Sequence, residues 1–187
     1  MTDPKRIITN IEEIKPIVAK FRKAGKKIVL TQGSFDMVHI GHARYCEEAK
    51  KHGDILIVGV DSDEKVRHRK GPDRPVVPQD ERLEMLTYLR PVDVVVLKEL
   101  NEPKWALIKA VEPDVLIATK ETYTPEKVKE LEKICGKVVV LEPMATTSTS
   151  AKLRRLQIGA AKKISANLSS KLIKTIEQVL EELKEEQ

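Results

Sequence analysis

The hydrophobic residues of this sequence fall into short runs rich in Val, Ile and Leu, which alternate with longer stretches of mixed polarity. Continuous apolar runs of this length are typical of strands that are buried on both faces, as in a parallel sheet. The pattern therefore predicts five strands, at Lys27–Thr31, Ile55–Val60, Val92–Leu97, Asp114–Ala118 and Lys137–Leu141.

The stretches between these strands have the character of helices, and two of them begin with proline, which suits a first helical turn. Strands that alternate with helices indicate an α/β fold with a doubly wound, Rossmann-like, five-stranded parallel sheet. We expect the strand order 3-2-1-4-5, with a ligand crevice at the carboxyl ends of strands 1 and 4. The predicted helices are Gly41–His52, Asp80–Leu89, Pro103–Val111, Pro125–Ile134 and one that starts near Ser148–Ser150.

Two further helices are predicted outside this alternating region. Asn10–Lys23 forms a short amphipathic helix, and Ser165–Glu186 carries leucines and isoleucines at helical spacing. We expect the second helix to cover the domain's own core; a homodimer interface or a membrane-surface helix are the alternatives, and its glutamates disfavour the membrane. The predicted organisation is an N-terminal helical extension over 1–25, a central domain over 26–158 and a C-terminal helical extension over 159–187.

Composition narrows the class of protein. Hydrophobic residues make up 41% and charged residues 34%, which fits a globular chain, while aromatic residues at 3% leave the core to aliphatic side chains. No apolar run approaches the roughly 20 residues that span a bilayer, and we expect no secretory signal. Cys46 and Cys135 are too few for a disulfide framework or a zinc knuckle, so a cytoplasmic location is expected. The net charge of +5 is compatible with an anionic small ligand.

The densest candidate chemistry follows the first predicted strand, in the segment GSFDMVHIGH over residues 33–42. No GxGxxG or GxxxxGK[ST] motif occurs, so the common dinucleotide and P-loop fingerprints are absent. Gly33 permits a sharp turn and close approach of the backbone to a ligand. His39 and His42 lie three residues apart around Gly41 at a predicted helix start, where backbone N–H groups point outward. The pattern predicts an anion site with two imidazole donors added to it.

This segment resembles the GTFDxxHxGH motif of the cytidylyltransferase-like nucleotidyltransferases, and the resemblance extends over residues 26–156. Residues 70–97 are especially similar to the nucleotidyltransferase domain of heptose-phosphate kinase/adenylyltransferases. HIGH is also a signature of class I aminoacyl-tRNA synthetases, but no KMSKS segment is present. The resemblance implies nucleotide contacts by Gly33, Ser34, Phe35 and Gly41. Asp36 is a candidate on the substrate side, although a loop-holding role is favoured for it.

A basic cluster follows the second predicted strand. Residues 65–74 hold five Lys/Arg and one Asp, a local charge of +4, in what we interpret as a loop beside the histidines. A triphosphate and an anionic co-substrate need such neutralisation, so we predict phosphate contacts there. The candidates for binding the co-substrate are Asp61, Arg69 and Lys70.

Two further segments match the family. Arg82 lies in the first turn of a predicted helix, where similar enzymes place an arginine on phosphate; an ion pair with its Glu81 neighbours or with Asp93 is the structural alternative. Hydroxyls at Ser148, Thr149 and Ser150 resemble the family's STT segment, which is expected to bind the β- and γ-phosphates. The loop that helps to bind the base in this family departs here from the family's sequence pattern, because residues 118–123 read ATKETY. Thr119 is the candidate nucleotide contact in this loop.

The resemblance implies transfer of a nucleotide monophosphate from an NTP, with ATP favoured, to a phosphorylated small molecule such as a sugar 1-phosphate. His39, His42 and Arg82 are the expected catalytic residues, Mg²⁺ is the expected cofactor, and no protein metal site is predicted. The alternatives are a CTP-dependent cytidylyltransferase for glycerol-3-phosphate or phosphoethanolamine, an FAD synthetase and a non-catalytic nucleotide-binding regulator. A nucleic-acid partner is disfavoured because no aromatic stacking platform accompanies the basic residues.

Overall fold

A computed structural model describes residues 6–119, 123–142, 144, 156, 158–159, 164–165, 167–169 and 171–176. Its strands are β1 Ile7–Ile8, β2 Ile28–Gly33, β3 Ile55–Asp61, β4 Val94–Lys98, β5 Val115–Thr119 and β6 Lys137–Leu141. Its helices are α1 Ile14–Lys23, preceded by a 3-10 turn over Ile11–Glu13, then α2 Ile40–Lys50, α3 Asp63–Lys70, α4 Gln79–Thr87, α5 Ala106–Val111 and α6 Pro125–Leu131.

The strands form one sheet in the order β1-β4-β3-β2-β5-β6, and all neighbouring pairs are parallel. The five predicted strands occur in the predicted order, so the doubly wound α/β fold is confirmed. The sequence did not predict β1, a two-residue edge strand beside β4. Arg6 fixes it there, because its side chain donates to the carbonyl of Asp93 at 3.1 Å and to that of Thr87 at 2.7 Å.

Helices cover both faces of the sheet, and strand alternation assigns each strand residue to one face. On the first face, α1 and α5 pack over a cluster that includes Leu30, Ile57 and Leu116. On the second, α2 and α4 pack over a cluster that includes Val58 and Val95. We call these the α1/α5 face and the α2/α4 face. The long aliphatic runs follow from this burial on both sides.

The largest difference from the predicted helices is α3. Residues 65–70, expected in a loop, lie on this helix, which begins after Ser62; the Ser62 hydroxyl accepts the Lys65 backbone N–H at 3.3 Å. Val66 is the only buried residue of α3, so its charged sequence carried no apolar periodicity by which it could be recognised. Its placement nevertheless carries the basic residues across the carboxyl ends of β2 and β3.

Contacts divide the chain into two compact units, over residues 1–146 and 147–187. The described residues of the second unit are helical, in agreement with the predicted helix over Ser165–Glu186 where the two overlap. The rest of that helix and the helix start near Ser148–Ser150 lie outside the described residues. Among the described residues, no helix combines the length and the hydrophobicity that a membrane span requires.

Candidate active site

The turn between β2 and α2 is held by aromatic packing. Gly33 has ordinary strand geometry, and the left-handed residues are Phe35 and Met37, with φ of 48° and 53°. The sharp turn predicted at Gly33 therefore lies two to four residues later. A Cβ at Gly33 would stand 3.2 Å from the Phe35 ring, so the glycine leaves room for that ring. Phe35 is buried, and its ring centroid lies 5.5 Å from that of His42. Phe35 thus packs beside His42 and supports the position of that ring.

His39 and His42 hold each other through the backbone at the start of α2. His39, the N-cap residue, accepts the Gly41 N–H on Nδ1 at 3.1 Å. His42 Nδ1 accepts the backbone N–H of His39 at 3.3 Å. The two rings lie 4.1 Å apart between centroids. Because each Nδ1 is an acceptor, each neutral imidazole carries its proton on Nε2, the nitrogen opposite the backbone.

The backbone donors of this turn differ from the prediction. Beyond the N–H groups bound by the imidazoles, the His42 and Ala43 N–H groups donate to the His39 carbonyl at 2.9 and 3.3 Å. The backbone N–H groups of His39, Gly41, His42 and Ala43 are thus used within the turn. The donors suited to an anion at this place are the imidazole Nε2–H groups.

Asp36 anchors the segment that follows α3. Its carboxylate accepts the backbone N–H groups of Val76 and Val77 at 3.0 Å and the Arg74 Nε at 2.6 Å. Burial raises the pKa of Asp36, but the Val77 and Val76 amides and the Arg74 guanidinium outweigh it, so the pKa lies below its ordinary value. The side chain is 1% exposed. Its placement supports the loop-holding role and does not support direct contact with substrate.

Arg82 is also buried, whereas the predicted contact with phosphate requires an accessible guanidinium. Its Nε donates to the Val77 carbonyl at 2.9 Å, one terminal nitrogen donates to the Ser34 carbonyl, and the other lies 2.8 Å from an Asp63 carboxylate oxygen. The side chain has 0% exposure, so it has no surface for a ligand in this conformation. The predicted alternatives, Glu81 neighbours or Asp93, are not its partners either. Arg82 joins the turn after β2 to the starts of α3 and α4.

Lys70 reaches the same turn from α3. Its ammonium donates to the Ser34 hydroxyl at 2.7 Å. Burial, followed by the neighbouring charges of Arg69 and Arg74, lowers the pKa of Lys70. The predicted candidates Ser34 and Lys70 are therefore in direct contact, one at the end of β2 and one at the end of α3.

Asp61 is the centre of a second charged group, and its partner Lys98 was missed by the sequence analysis. These two residues end β3 and β4 and are register partners, with Lys98 Nζ 3.0 Å from Asp61 Oδ1. Arg69 places a guanidinium nitrogen 3.0 Å from Oδ2. Burial raises the pKa of Asp61, but Lys98 and Arg69 outweigh it and the pKa is lowered. The signal was present in the sequence, because both residues directly follow buried strands at the same sheet edge.

The remaining predicted residues can be placed only in part. Gly41 is buried in the first turn of α2, and Thr119 ends β5 half-buried, with its carbonyl accepting the Tyr123 N–H at 3.3 Å. Ser148, Thr149 and Ser150, and residues 120–122 of the divergent loop, lie outside the described residues. The structure thus gathers the histidine turn, Ser34, Lys70 and Asp61 with Arg69 at the carboxyl edge of the sheet.

A search of protein families matches this chain over residues 30–176 to the cytidylyltransferase-like model. Among curated relatives, the bifunctional protein HldE of Nitratiruptor sp. is 40% identical over 151 residues, which is 80% of this chain and 32% of that protein. HldE of Aliarcobacter butzleri is 46% identical over 59% of this chain and 23% of its own length. The chain therefore spans about a third or less of the length of these relatives.

Solved structures agree on the fold. The lipopolysaccharide core biosynthesis protein from Thermoplasma volcanium superposes with a TM-score of 0.57 and 28% identity, over 64% of this chain and 98% of that one. A pantoate-beta-alanine ligase from Francisella tularensis, at 18% identity, shares the fold with a TM-score of 0.56 over 72% of this chain and 66% of its own. The predicted resemblance to the heptose-phosphate kinase/adenylyltransferases is confirmed by the HldE relatives. With the family match extending over most of its length, the chain belongs to the cytidylyltransferase-like family and is a nucleotidyltransferase.

Proposed function

We propose that this nucleotidyltransferase transfers AMP from ATP to a sugar 1-phosphate and releases pyrophosphate. The observation that carries the proposal is that Nδ1 of both His39 and His42 accepts a backbone N–H of the turn, which leaves the proton of each neutral imidazole on Nε2. The preference for ATP and a sugar phosphate rests on the similarity of residues 70–97 to the heptose-phosphate adenylyltransferases and on the HldE relatives.

The chemistry requires charge stabilisation rather than a covalent nucleophile. An oxygen of the acceptor phosphate attacks the α-phosphorus of the nucleotide in line, the bond from that phosphorus to the bridging oxygen breaks, and pyrophosphate leaves with the electron pair. A phosphate dianion already has an attacking lone pair, so no general base is needed. The Nε2–H groups of His39 and His42 donate to the transferring phosphoryl group, where negative charge accumulates in the transition state.

Other residues complete this assignment. Ser148, Thr149 and Ser150 are proposed to bind the leaving pyrophosphate, and Thr119 to contact the base. Lys70 and Arg69 supply positive charge for the acceptor. Arg82 is assigned a positioning role, because it holds the carbonyl of Ser34 and the start of α3 while itself buried.

Mg²⁺, when bound, would supply positive charge that offsets the negative charge of the nucleotide phosphates. The described residues contain no group of three or more His, Cys, Asp or Glu side chains that could hold an ion. The two buried carboxylates at this edge, Asp36 and Asp61, face Arg74 and Lys98. These residues fit an ion that arrives with the triphosphate and is held mostly by substrate and water.

The test is pyrophosphate release with each of ATP, CTP, GTP and UTP against a panel of sugar 1-phosphates, glycerol-3-phosphate and phosphoethanolamine. We expect release with ATP and a sugar 1-phosphate, and loss of release in His42→Asn. Release with CTP and an alcohol phosphate alone would replace the proposal with the cytidylyltransferase activity. No release by the folded wild-type chain with any pair would refute the transfer reaction itself.

A further inference from the structure

The described part of the C-terminal helical region carries large apolar side chains that lie in solvent. Every described residue between 156 and 176 is exposed. Residues four apart lie on one side of a helix, so three leucines and isoleucines at this spacing, with one neighbour, form a continuous apolar stripe. We call this stripe the apolar face; its members are Leu168, Leu172, Ile173 and Ile176, with exposed fractions of 69%, 62%, 56% and 50%.

An exposed apolar face is an unfavourable arrangement for a helix in water. A helix in a protein takes most of its stability from the packing of its apolar face rather than from its own hydrogen bonds. No described residue of 156–176 is buried, so neither the apolar face nor the polar side of this helix is packed in the described part of the chain. The apolar face therefore calls for a partner surface.

The charge along the same region of the sequence indicates what that partner is. Residues 162–176 contain four lysines and no acidic residue, a charge of +4. Residues 177–187 contain five glutamates and one lysine, a charge of −4. The predicted helix over Ser165–Glu186 thus follows and contains two segments that are equal and opposite in charge.

A single helix gains little from this separation of charge. Within one helix, ion pairs join residues three or four apart, and of the four lysines only Lys174 has a glutamate at that distance ahead of it, Glu177. The predicted helix also ends in Glu185 and Glu186, where the negative end of the helix dipole disfavours acidic side chains. The opposite charges are therefore suited to contacts with another chain.

A second copy that runs in the opposite direction satisfies these charges. In an antiparallel pair, the lysine segment of each copy lies beside the glutamate segment of the other, and a two-fold axis close to Ile176 repeats every contact. Lys171 and Glu182 are eleven residues apart, about three helical turns, so they flank the apolar face on the same side. The same axis places Lys171 of one copy level with Glu182 of the other. A parallel pair would instead set lysines against lysines.

We infer that this chain forms a homodimer through its C-terminal helix, in which two apolar faces pack antiparallel and Lys171 of each copy pairs with Glu182 of the other. The inference goes beyond the proposed transfer reaction and does not depend on it. The partner is a second copy of this chain, because its own sequence supplies both the matching apolar face and the complementary charge.

Sedimentation equilibrium of the full chain over a range of concentrations gives the oligomeric state. We expect a dimer that dissociates on dilution. Leu172→Glu places a charge in the centre of the apolar face and is expected to raise the dimer dissociation constant at least a hundredfold. Met85→Glu is the matched control, because Met85 is an apolar residue of α4 with an exposed fraction of 49%. A monomeric wild-type chain, or a dimer that Met85→Glu dissociates and Leu172→Glu does not, overturns the inference.

Charge exchange determines the direction of the pairing. Lys171→Glu and Glu182→Lys each set like charges together in the antiparallel dimer, so each is expected to raise the dissociation constant at least tenfold. The double variant Lys171→Glu/Glu182→Lys restores opposite charges and is expected to return to within threefold of the wild type. In a parallel dimer, residue 171 meets residue 171 in every variant, so neither single variant would weaken it. Dimers that are insensitive to the single variants, or that the double variant fails to restore, overturn the inference.

Lys174→Glu is the matched control for net charge. Lys174 lies two residues from both Leu172 and Ile176, which places it on the side of the helix away from the apolar face. We expect it to change the dissociation constant less than threefold, and weakening equal to that of Lys171→Glu would overturn the inference.

A membrane surface is the other occupant that a lysine-bearing amphipathic helix could take. Vesicles of phosphatidylcholine with phosphatidylglycerol test it by cosedimentation with the full chain. We expect the wild-type dimer to remain in the supernatant. A chain that is monomeric in solution and cosediments with these vesicles would overturn the inference and assign the apolar face to lipid.

Discussion

His42 Nδ1 accepts the backbone N–H of His39 at 3.3 Å, so the second histidine of the motif fixes the first. His39 Nδ1 in turn accepts the Gly41 backbone N–H at 3.1 Å, so both imidazoles cap the start of α2. Each imidazole therefore has two roles on its two nitrogens. Nδ1 stabilises the helix start, and Nε2–H is the donor that the proposed function assigns to the transferring phosphoryl group.

Substitutions at His42 can separate these two roles. Asn places its amide oxygen near the position of Nδ1 and cannot reproduce Nε2, whereas Ala removes both. We expect both variants to lose about 10²–10³-fold in kcat, as for removal of one transition-state donor. His42→Asn should retain more of the stability, because loss of a capping acceptor costs about 1 kcal/mol. Urea unfolding and pyrophosphate release measure the two effects. Undiminished turnover in folded His42→Ala would refute the assignment.

The position of Arg82 predicts a structural phenotype. Arg82→Met removes the buried donor shared by the Asp63 carboxylate and the carbonyls of Ser34 and Val77. We expect the free energy of unfolding to fall by about 3 kcal/mol. Arg82→Lys should recover only part of this, because one ammonium cannot reproduce a planar guanidinium that spans three partners. Chemical denaturation measures both.

Arg67→Met is the matched control for Arg82. Arg67 is an exposed arginine on α3, and its replacement should change the stability by less than about 0.5 kcal/mol. If Arg82→Lys instead kept full stability and raised only the KM for the nucleotide, Arg82 would contact phosphate, as the sequence alone predicted.

The sequence predicted the sheet well, because burial on both faces demands continuous aliphatic runs such as the one ending at Leu97. It failed where a role depends on non-local partners. Arg82 was recognisable as important, but its partners are Ser34, Val77 and Asp63, which only the folded chain brings together. Lys98 was overlooked for the same reason, since its importance comes from its register with Asp61.

Left-handed backbone conformations explain a second group of differences, in the predicted positions of a turn and a helix start. Gly33 was the natural place to predict a turn, yet the left-handed geometry lies at Phe35 and Met37, which sequence statistics disfavour. Trp105 shows the same effect: its left-handed conformation delays the start of α5 to Ala106, past the expected Pro103. Such positions are set by tertiary packing, so local sequence preference cannot reveal them.

Asp36 predicts a specific dependence of stability on pH. Its pKa is lowered in the folded state, so its contribution is present above the unfolded pKa of about 4 and is lost as the pH falls through the folded value. Asp36→Asn should therefore be less stable than the wild type at pH 7, by about 1–3 kcal/mol. The difference should shrink toward zero as the pH is lowered below about 4. Urea unfolding at a series of pH values measures it, and a difference independent of pH would contradict the assigned ion pair with Arg74.

Gly59 lies in β3 between the buried Leu107 of α5 and the side chain of Lys98. A Cβ at this position would stand 2.5 Å from Leu107 Cδ2 and 2.8 Å from Lys98 Cδ. Leu107 is 1% exposed and Lys98 is held by Asp61, so neither can withdraw without loss. Gly59→Ala should therefore destabilise the chain by about 1–3 kcal/mol.

A double-mutant cycle identifies the clash at Gly59. Leu107→Ala alone should cost about 2–5 kcal/mol, because it leaves a hole in the α1/α5 core. In that background, the added methyl group of Gly59→Ala finds space, so its own cost should fall by at least about 1 kcal/mol. Chemical denaturation of the two single variants and the double variant gives the coupling. Additive costs, within about 0.5 kcal/mol, would mean that Leu107 does not set the limit on side-chain size at residue 59.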